Sequence, residues 1–372
     1  MQILFDHQTF RNQRYGGISL YISNLINGIN QDSTNSAQLT IPDFDNENLP
    51  KPAASSTWDY MNVWRMMPVK GRRISNVFSL YALCANPYDV FHATYYDTYF
   101  LKGIARNKPW TFTYHDMTHE VLGGRFPGLT ADHKLLHNKD QLAQTAPIVI
   151  TISELTKQDI VNHHQIDPAK IRVIHHGNPY EQLVLNNEPT ASPFDFPYLL
   201  FVGNRWAYKN FSLCVDALAP LLRRHSIHLV CAGGGSFTKA ETTLLAQNGV
   251  TGLVHHQAIR NGDLPYLYQH AVAFIFPSLY EGFGLPILEA FSCRCPCVLS
   301  NAGALPEVAG SEAAIYFDPD DVDSIATAVE TVITGSDTLR NRLITEGTAR
   351  LRLFSWQKTI DETVDVYRQL MN

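Results

Sequence analysis

Charge is scarce in this chain: Asp, Glu, Lys and Arg make up 17% of its 372 residues and the formal net charge is −6, against roughly 25% charged residues in an average domain. A surface this poor in cations excludes bulk nucleic-acid binding and points to a small or locally recognised partner. Long apolar runs are missing too. No stretch approaches the roughly 18 residues of a spanning helix, and Met1-Gln-Ile-Leu-Phe-Asp6 reads as the start of a strand pattern rather than as a signal peptide. A cytoplasmic protein is expected. Six cysteines are too few, and too apolar in context, for a disulfide framework. Their one cluster, Cys293-Arg-Cys-Pro-Cys297, lacks the second pair that a structural zinc site needs and reads as reduced thiols around a helix-to-strand turn. No metal is expected elsewhere. His115 and His119 are four apart but follow a strand, Asp43-Phe-Asp45 sits in a loop, and Asp318-Pro-Asp320 precedes a helical pattern where aspartates serve as caps. The absence of Gly-x-Gly-x-x-Gly argues against a nicotinamide-dependent oxidoreductase.

What the chain does contain is an alternation of strand-like and helix-like segments, the pattern of parallel sheets covered by helices. Ile3-Leu-Phe5 reads as a strand, Tyr15-Gly-Gly17 as a turn, and Ile18, Tyr21, Ile22, Leu25, Ile26 and Ile29 as one face of a helix. Strands are expected near Asp89–His92, Trp110–Tyr114, Ile148–Ile152 and Ile171–Ile174. Pro189, Pro193 and Pro197 mark an interdomain linker, and a second series follows with strands at Tyr198–Val202, Ile227–Cys231, Ala271–Phe276 and Cys297–Ser300. At this length two domains are the better prior. The fold class is therefore α/β, with two doubly wound sheets binding ligands beyond the carboxyl ends of their strands.

Motifs gather at those ends. Gly203-Asn-Arg-Trp-Ala-Tyr-Lys-Asn210 follows a strand directly: Arg205 is suited to phosphate oxygens through two donors, Lys209 as a point charge, and Asn210 as a helix cap. Tyr280-Glu-Gly-Phe-Gly-Leu-Pro-Ile-Leu-Glu289 is a glycine turn running into a helix, with Gly282 and Gly284 allowing close approach to a ligand and Pro286 fitting an early helical position. Glu281 in the loop and Glu289 in the helix can accept hydrogen bonds from paired hydroxyls of a sugar and a ribose. Gly16-Gly17 and Gly233-Gly-Gly235 occupy similar positions with weaker signals. His115-Asp116 ends another strand, Asp116 reading as a cap or a base. Trp64–Arg73 mixes apolar residues with four cations, which suits either an anionic membrane surface with its lipid-linked molecules or a solvated loop.

In combination, Gly203-x-Arg205-x3-Lys209-Asn210, Pro277-Ser-Leu-Tyr-Glu-Gly-Phe-Gly-Leu-Pro286 and Glu289 closely resemble the retaining glycosyltransferases of family four, which have the GT-B fold. Asn301-Ala-Gly-Ala-Leu-Pro-Glu307, Thr151-Ile-Ser-Glu154 and Ile171–Gly177 extend the resemblance, while His175-His176 departs from the Pro-Asn or Tyr-Asn more usual before Gly177. The resemblance implies a Rossmann-like acceptor-binding domain over 1–187, a Rossmann-like nucleotide-sugar domain over 188–354, and a helix over 355–372 crossing back to the first. It also implies site roles. His115, Arg205, Lys209 and Glu281 would form the catalytic set, and Gly16, Gly17, Gly203, Gly282, Phe283, Gly284, Leu285 and Glu289 would complete the donor site, Arg205 and Lys209 on the diphosphate, Glu281 on the sugar and Glu289 on the ribose. No cofactor or metal is implied beyond the co-substrate, GDP-mannose or a UDP- or dTDP-sugar. The acceptor would be a glycan or lipid-linked molecule of cell-surface polysaccharide synthesis, with peripheral membrane contact through Trp64–Arg73. A sugar-nucleotide epimerase and a non-catalytic sugar-nucleotide sensor are the alternatives.

Overall fold

Short apolar runs flanked by turn residues become buried parallel strands. In the computed structural model, which describes residues 1–12, 14, 16–41, 45–49, 72–101, 108–130, 132–183, 192–259 and 262–372, they assemble into two six-stranded sheets in two units. The first unit comprises Met1–Glu120, Thr130–Gly177 and Trp356–Asn372; the second comprises Val121–Leu129 and Asn178–Ser355.

The first sheet contains β1 (Gln2–Phe5), β2 (Ser36–Leu39), β3 (Val90–Ala93), β4 (Trp110–Tyr114), β5 (Ile148–Thr151) and β6 (Ile171–Val173), in the order β2-β1-β3-β4-β5-β6. All five pairings are parallel. Strand β2 was not expected, because Ser-Ala-Gln-Leu carries no apolar run. Its pairing with β1, Ile3 opposite Ala37, and the amide of Asn30, which bonds both backbone groups of Ala37 at 2.8 and 2.9 Å, hold it in place. The helix Gly17–Ile29 buries Tyr21, Ile22, Leu25, Ile26 and Ile29 in a core with Ile3, Phe5 and Val90. The helix Trp356–Met371 adds Val364 and Tyr367 to that core. Tyr367 Oη lies 2.7 Å from Nδ1 of the fully buried His92. A Cβ on Gly28 would overlap the Ile360 side chain, so the two helices touch where one has no side chain.

The second sheet contains β7 (Tyr198–Val202), β8 (His228–Ala232), β9 (Val254–Gln257), β10 (Ala273–Phe276), β11 (Cys297–Ser300) and β12 (Ala314–Phe317), in the order β12-β11-β10-β7-β8-β9. Strands β9 and β12, the two edges of this sheet, are not anticipated by the sequence reading: β9 is polar in three of its four positions, His255, His256 and Gln257, and β12 is a short apolar run of four residues. The helices Phe211–His225 and Val322–Ile333 pack Val215, Leu218, Leu222, Ile325 and Val329 against one another in the core. Asp321 caps the latter helix through the Asp323 and Ser324 amides. Cys293, Cys295 and Cys297 are free and buried, and burial pushes the Cys295 thiol up to about 12. Both strand orders reverse once, between β1 and β3 and between β7 and β10. Ligands bind open α/β sheets beyond the carboxyl ends at such a reversal.

Asp43 and the segment 64–71 lie outside the described residues, as do the side chains of Arg72 and Arg73. Among the described residues no helix is long and apolar enough to cross a membrane, and no group of three or more His, Cys, Asp or Glu residues is arranged for a metal.

Candidate active site

The reversal in the second sheet lies between β7 and β10, and the loops leaving these two strands carry Lys209 and Glu281. Lys209 ends a single 3-10 turn, Ala207–Lys209, and its Nζ stands 2.5 Å from Glu281 Oε1, with both side chains only 15% exposed. The Phe276 ring lies 5.4 Å from the ammonium. The pair is thus held on an apolar floor, where charges are less screened than in water. The Leu279 amide bonds the Tyr208 carbonyl at 2.8 Å, tying the loops to each other. On the far side of Glu281, Ala304 N–H donates to the Glu281 carbonyl at 2.9 Å. Gly303, at φ 62°, approaches so closely that a Cβ would lie 2.5 Å from Glu281 N. Asn210 does occupy the start of the helix Phe211–His225, but its side chain does not cap it. The residue is left-handed at φ 58°, and its amide donates instead to the Pro319 carbonyl at 2.6 Å.

The glycine turn runs through buried Gly282 and Phe283 to Gly284, which has φ 104° and precedes the helix Leu285–Ser292. Gly284 is required twice over, since a Cβ there would also meet Leu305 Cδ2 at 2.8 Å. Phe283 packs edge-on against Phe354. Leu285 opens the helix, and Glu289 follows one turn later, half-buried, with Tyr268 Oη donating to its Oε2 at 3.0 Å. Burial pushes the Glu289 carboxyl up to about 7, the Tyr268 hydrogen bond offsetting part of the effect. Tyr268 has no distinguishing mark in the sequence; its fully buried ring is what delivers the hydroxyl.

Arg205 is oriented differently from Lys209. Its side chain is 2% exposed, with Nε 2.7 Å from Glu241 Oε1, and its terminal nitrogens donate to the carbonyls of Gly233, Gly235 and Ser236. The Phe237 ring stacks 4.8 Å away. Four donor contacts to protein leave little of the fork for a ligand. Glu241, missed in the sequence, also completes a capping box with Thr238 at the start of the helix Lys239–Gln247. Gly203, at φ 107°, makes the turn out of β7 that leads to Arg205.

In the first unit Gly16 is extended and accepts from Leu20 N–H and Ser19 Oγ, and Gly17 opens its helix, exposed. His115 is buried beyond β4, its ring parallel to His176 and edge-on to Tyr21 at 5.6 Å. His115 Nε2 is buried without a hydrogen-bond partner among the described residues. Burial pushes the ring down to about 4, Asp116 opposing and Lys139 adding to the effect, so it is neutral at pH 7. His176, where the sequence departs from the family pattern, packs edge-on to Tyr21 at 4.6 Å. Asp116 accepts from Thr118 N–H at 3.0 Å as the cap of the helix Thr118–Leu122. Burial works against its ionisation, but Lys139 and the Thr118 bonds outweigh that and hold it below the usual carboxylate range. Lys139, 1% exposed, donates to the Asp116 carbonyl at 3.0 Å and to Glu120 at 2.8 Å. A further polar group lies at this sheet's reversal: buried Asp6, after β1, accepts from Thr94 Oγ1 and Gln8 Nε2, each at 2.6 Å. Sequence reasoning passed over it, because Thr94 is distant in the chain.

The family model described as Glycosyltransferase Family 4 matches residues 15–181, and that described as Glycosyl transferases group 1 matches residues 186–350. The chain belongs to the family-four glycosyltransferases. Across 96% of its length this glycosyltransferase is 28% identical to an uncharacterized glycosyltransferase of Methanocaldococcus jannaschii, covering 95% of that protein. It is 36% identical to the O-antigen chain mannosyltransferase B of Escherichia coli over 46% of either protein. The GT-B fold of the glycosyltransferase is matched by the crystal structure of Anabaena HepE in complex with UDP and glucose, with a TM-score of 0.71 at 17% identity, over 98% of this chain and 99% of that one.

Proposed function

We propose that this glycosyltransferase is a metal-independent, retaining mannosyltransferase that moves mannose from GDP-mannose to a glycan or lipid-linked acceptor in cell-surface polysaccharide synthesis. The observation that carries the reading is the Lys209–Glu281 pair at the β7/β10 reversal, with Glu289 on the helix beyond the glycine turn. Similarity to the O-antigen mannosyltransferase supports mannose as the transferred sugar. UDP-hexose is the second reading, favoured by the UDP bound to the HepE protein; dTDP-rhamnose is a third candidate donor.

In this mechanism the ammonium of Lys209 meets the negative charge that develops on the departing diphosphate, the role a metal plays in other sugar transferases. Glu281 accepts hydroxyls of the hexose while remaining beside Lys209, and Glu289 accepts the ribose hydroxyls. The bond from the anomeric carbon to the phosphate oxygen breaks as the acceptor hydroxyl forms its bond on the same face, and the acceptor proton passes to the leaving phosphate oxygen. No enzymic nucleophile is required. Asp116, engaged as a helix cap, is not given the part of a base. Gly16, Gly17 and His115 keep the donor roles implied by the family resemblance.

Thermal stabilisation by GDP, UDP and dTDP ranks the bases, since a ligand at 100 times its dissociation constant adds about 2.7 kcal/mol. Incubation with each matching sugar nucleotide and a lipid-linked glycan pool, with and without a chelator, then tests transfer, and the anomeric configuration of the product tests retention. Transfer abolished by the chelator, or an inverted product, overturns that part of the proposal. Isomerised donor without transfer identifies an epimerase, and tight binding with neither outcome identifies a sensor.

A further inference from the structure

The loop Gly233–Phe237, between β8 and the helix Lys239–Gln247, divides its backbone groups by type. The carbonyl oxygens of Gly233, Gly235 and Ser236 all accept from the one guanidinium of Arg205, at 3.2, 2.8 and 3.2 Å. The N–H groups of Gly234, Gly235, Ser236 and Phe237 donate to none of the described residues, and the first satisfied amide is that of Thr238, bonded to Glu241 at 2.6 Å. In a trans peptide the N–H runs antiparallel to the C=O of the same unit, and the chain has no cis peptide. Fixing three carbonyls on Arg205 therefore turns the amides of Gly234, Ser236 and Phe237 away from it.

The backbone reaches this arrangement through three successive left-handed glycines, at φ 85°, 71° and 73°. The middle one has no room for a side chain, since a Cβ on Gly234 would lie 2.6 Å from the Gly203 carbonyl. Gly234, Gly235 and Ser236 are exposed on their other side. Successive amides in a turn of this kind form a concavity for an anion. The loop leaves β8, the neighbour of β7, and rests on the same Gly203–Arg205 turn that leads to Lys209.

We propose that the amides of Gly234–Phe237 are a binding subsite for a phosphate group, that of the nucleoside diphosphate donor, and that Arg205 is its positioning residue, acting from behind the loop. The subsite rests on the nucleotide-sugar reading above and deepens it. Arg205 thus serves the diphosphate without spending its fork on it. Glu241 fixes the guanidinium through Nε and the entry to the next helix through its capping box.

The test is a titration of 15N-labelled protein with inorganic pyrophosphate, GDP and UDP, followed by amide resonances. Shifts of the Gly234, Gly235 and Ser236 amides that saturate together with nucleotide binding support the subsite. Shifts with pyrophosphate alone identify a site for the free anion and overturn its assignment to the donor. If nucleotide binds but these amides do not move, the subsite is wrong and the donor site stands; if no nucleoside diphosphate binds at all, the functional reading itself fails. Variants give a second line. Ser236→Pro deletes one amide and Glu241→Gln loosens Arg205; each should weaken nucleotide affinity on the order of tenfold, about the effect of one hydrogen bond to a charged group. Glu241→Gln combined with Arg205→Lys should be little worse than either alone. Thr238→Ala, which removes only the cap, should leave affinity intact. Unchanged or tighter binding by Glu241→Gln, as expected if that carboxylate merely competes with phosphate for Arg205, overturns the positioning role.

Discussion

Glu289 offers a direct test because its functional state and its resting state differ. To hold two ribose hydroxyls it must accept from both, which requires the carboxylate, yet in the unliganded protein burial pushes it up to about 7 with Tyr268 as its one hydrogen-bond partner among the described residues. Binding the donor must then expel a proton from part of the population. If the bound carboxyl returns to an ordinary value, apparent affinity is near its plateau at pH 8, about half of it at pH 7, and falls roughly tenfold for each unit below that. Intact sugar nucleotides are the suitable ligands, because their diphosphates lack the terminal ionisation of a free nucleoside diphosphate. Calorimetric titration of wild type and Glu289→Gln from pH 6 to 8, in buffers of different ionisation heat, measures both affinity and proton release. The variant should bind more weakly with little pH dependence. The sign for folding is opposite: a carboxyl raised above its unfolded value of about 4.5 contributes stability below that pH and loses it as pH rises through about 7. Glu289→Gln should therefore be more stable than wild type at pH 8, by at most about 3–4 kcal/mol, and should have no such advantage at pH 4. Affinity of the wild type that stays flat from pH 6 to 8, with no proton released, refutes the reasoning.

Lys209→Ala should lower turnover by about two to three orders of magnitude, as loss of one donor to a developing anion does elsewhere; single-turnover transfer of labelled sugar measures it, and a near-normal rate contradicts the leaving-group role. Lys139→Met leaves Glu120 buried without its cation and should cost about 3–5 kcal/mol in denaturant unfolding, with Glu120→Gln in the same chain recovering much of the loss; no recovery would mean that the packing of Lys139 over Tyr96 and Tyr114, not its charge, is what matters. Gly28→Ala should destabilise the first unit by about 1–3 kcal/mol through overpacking against Ile360. Ile360→Ala in the same chain should relieve part of that clash, and additive costs in equilibrium unfolding would sink the explanation.

Much of the fold was legible because its central strands are apolar on both faces and bounded by glycine or proline, as Ala273–Phe276 is. Of the strands that escaped notice, the edges Ser36–Leu39 and Val254–Gln257 have too little burial to impose an apolar pattern, whereas Ala314–Phe317 is apolar but only four residues long, directly before the aspartates that start the next helix. The same division runs through the candidate site. The turn Glu281–Glu289 could be read directly, since its glycines and proline are local requirements of one loop and helix. The ion pair between Lys209 and Glu281 could not, because it joins loops 72 residues apart in sequence. Arg205 could be read as a cation but not as one already claimed by Glu241 and three carbonyls, since those partners meet it only after β7 and β8 have paired. Tyr268 and Asp6 are likewise ordinary residues until tertiary structure surrounds them.

Residues 356–372 belong to the first unit but follow the whole of the second in sequence. Synthesis runs from the amino terminus, so the first unit waits for Val364 and Tyr367 of its core until the last segment of the second unit, which ends at Ser355, has been made. On the ribosome, the part of the chain made first would be finished last. Until the final helix is made, the core that holds Ile3, Phe5, Ile22, Ile26 and Val90 lacks Val364 and Tyr367.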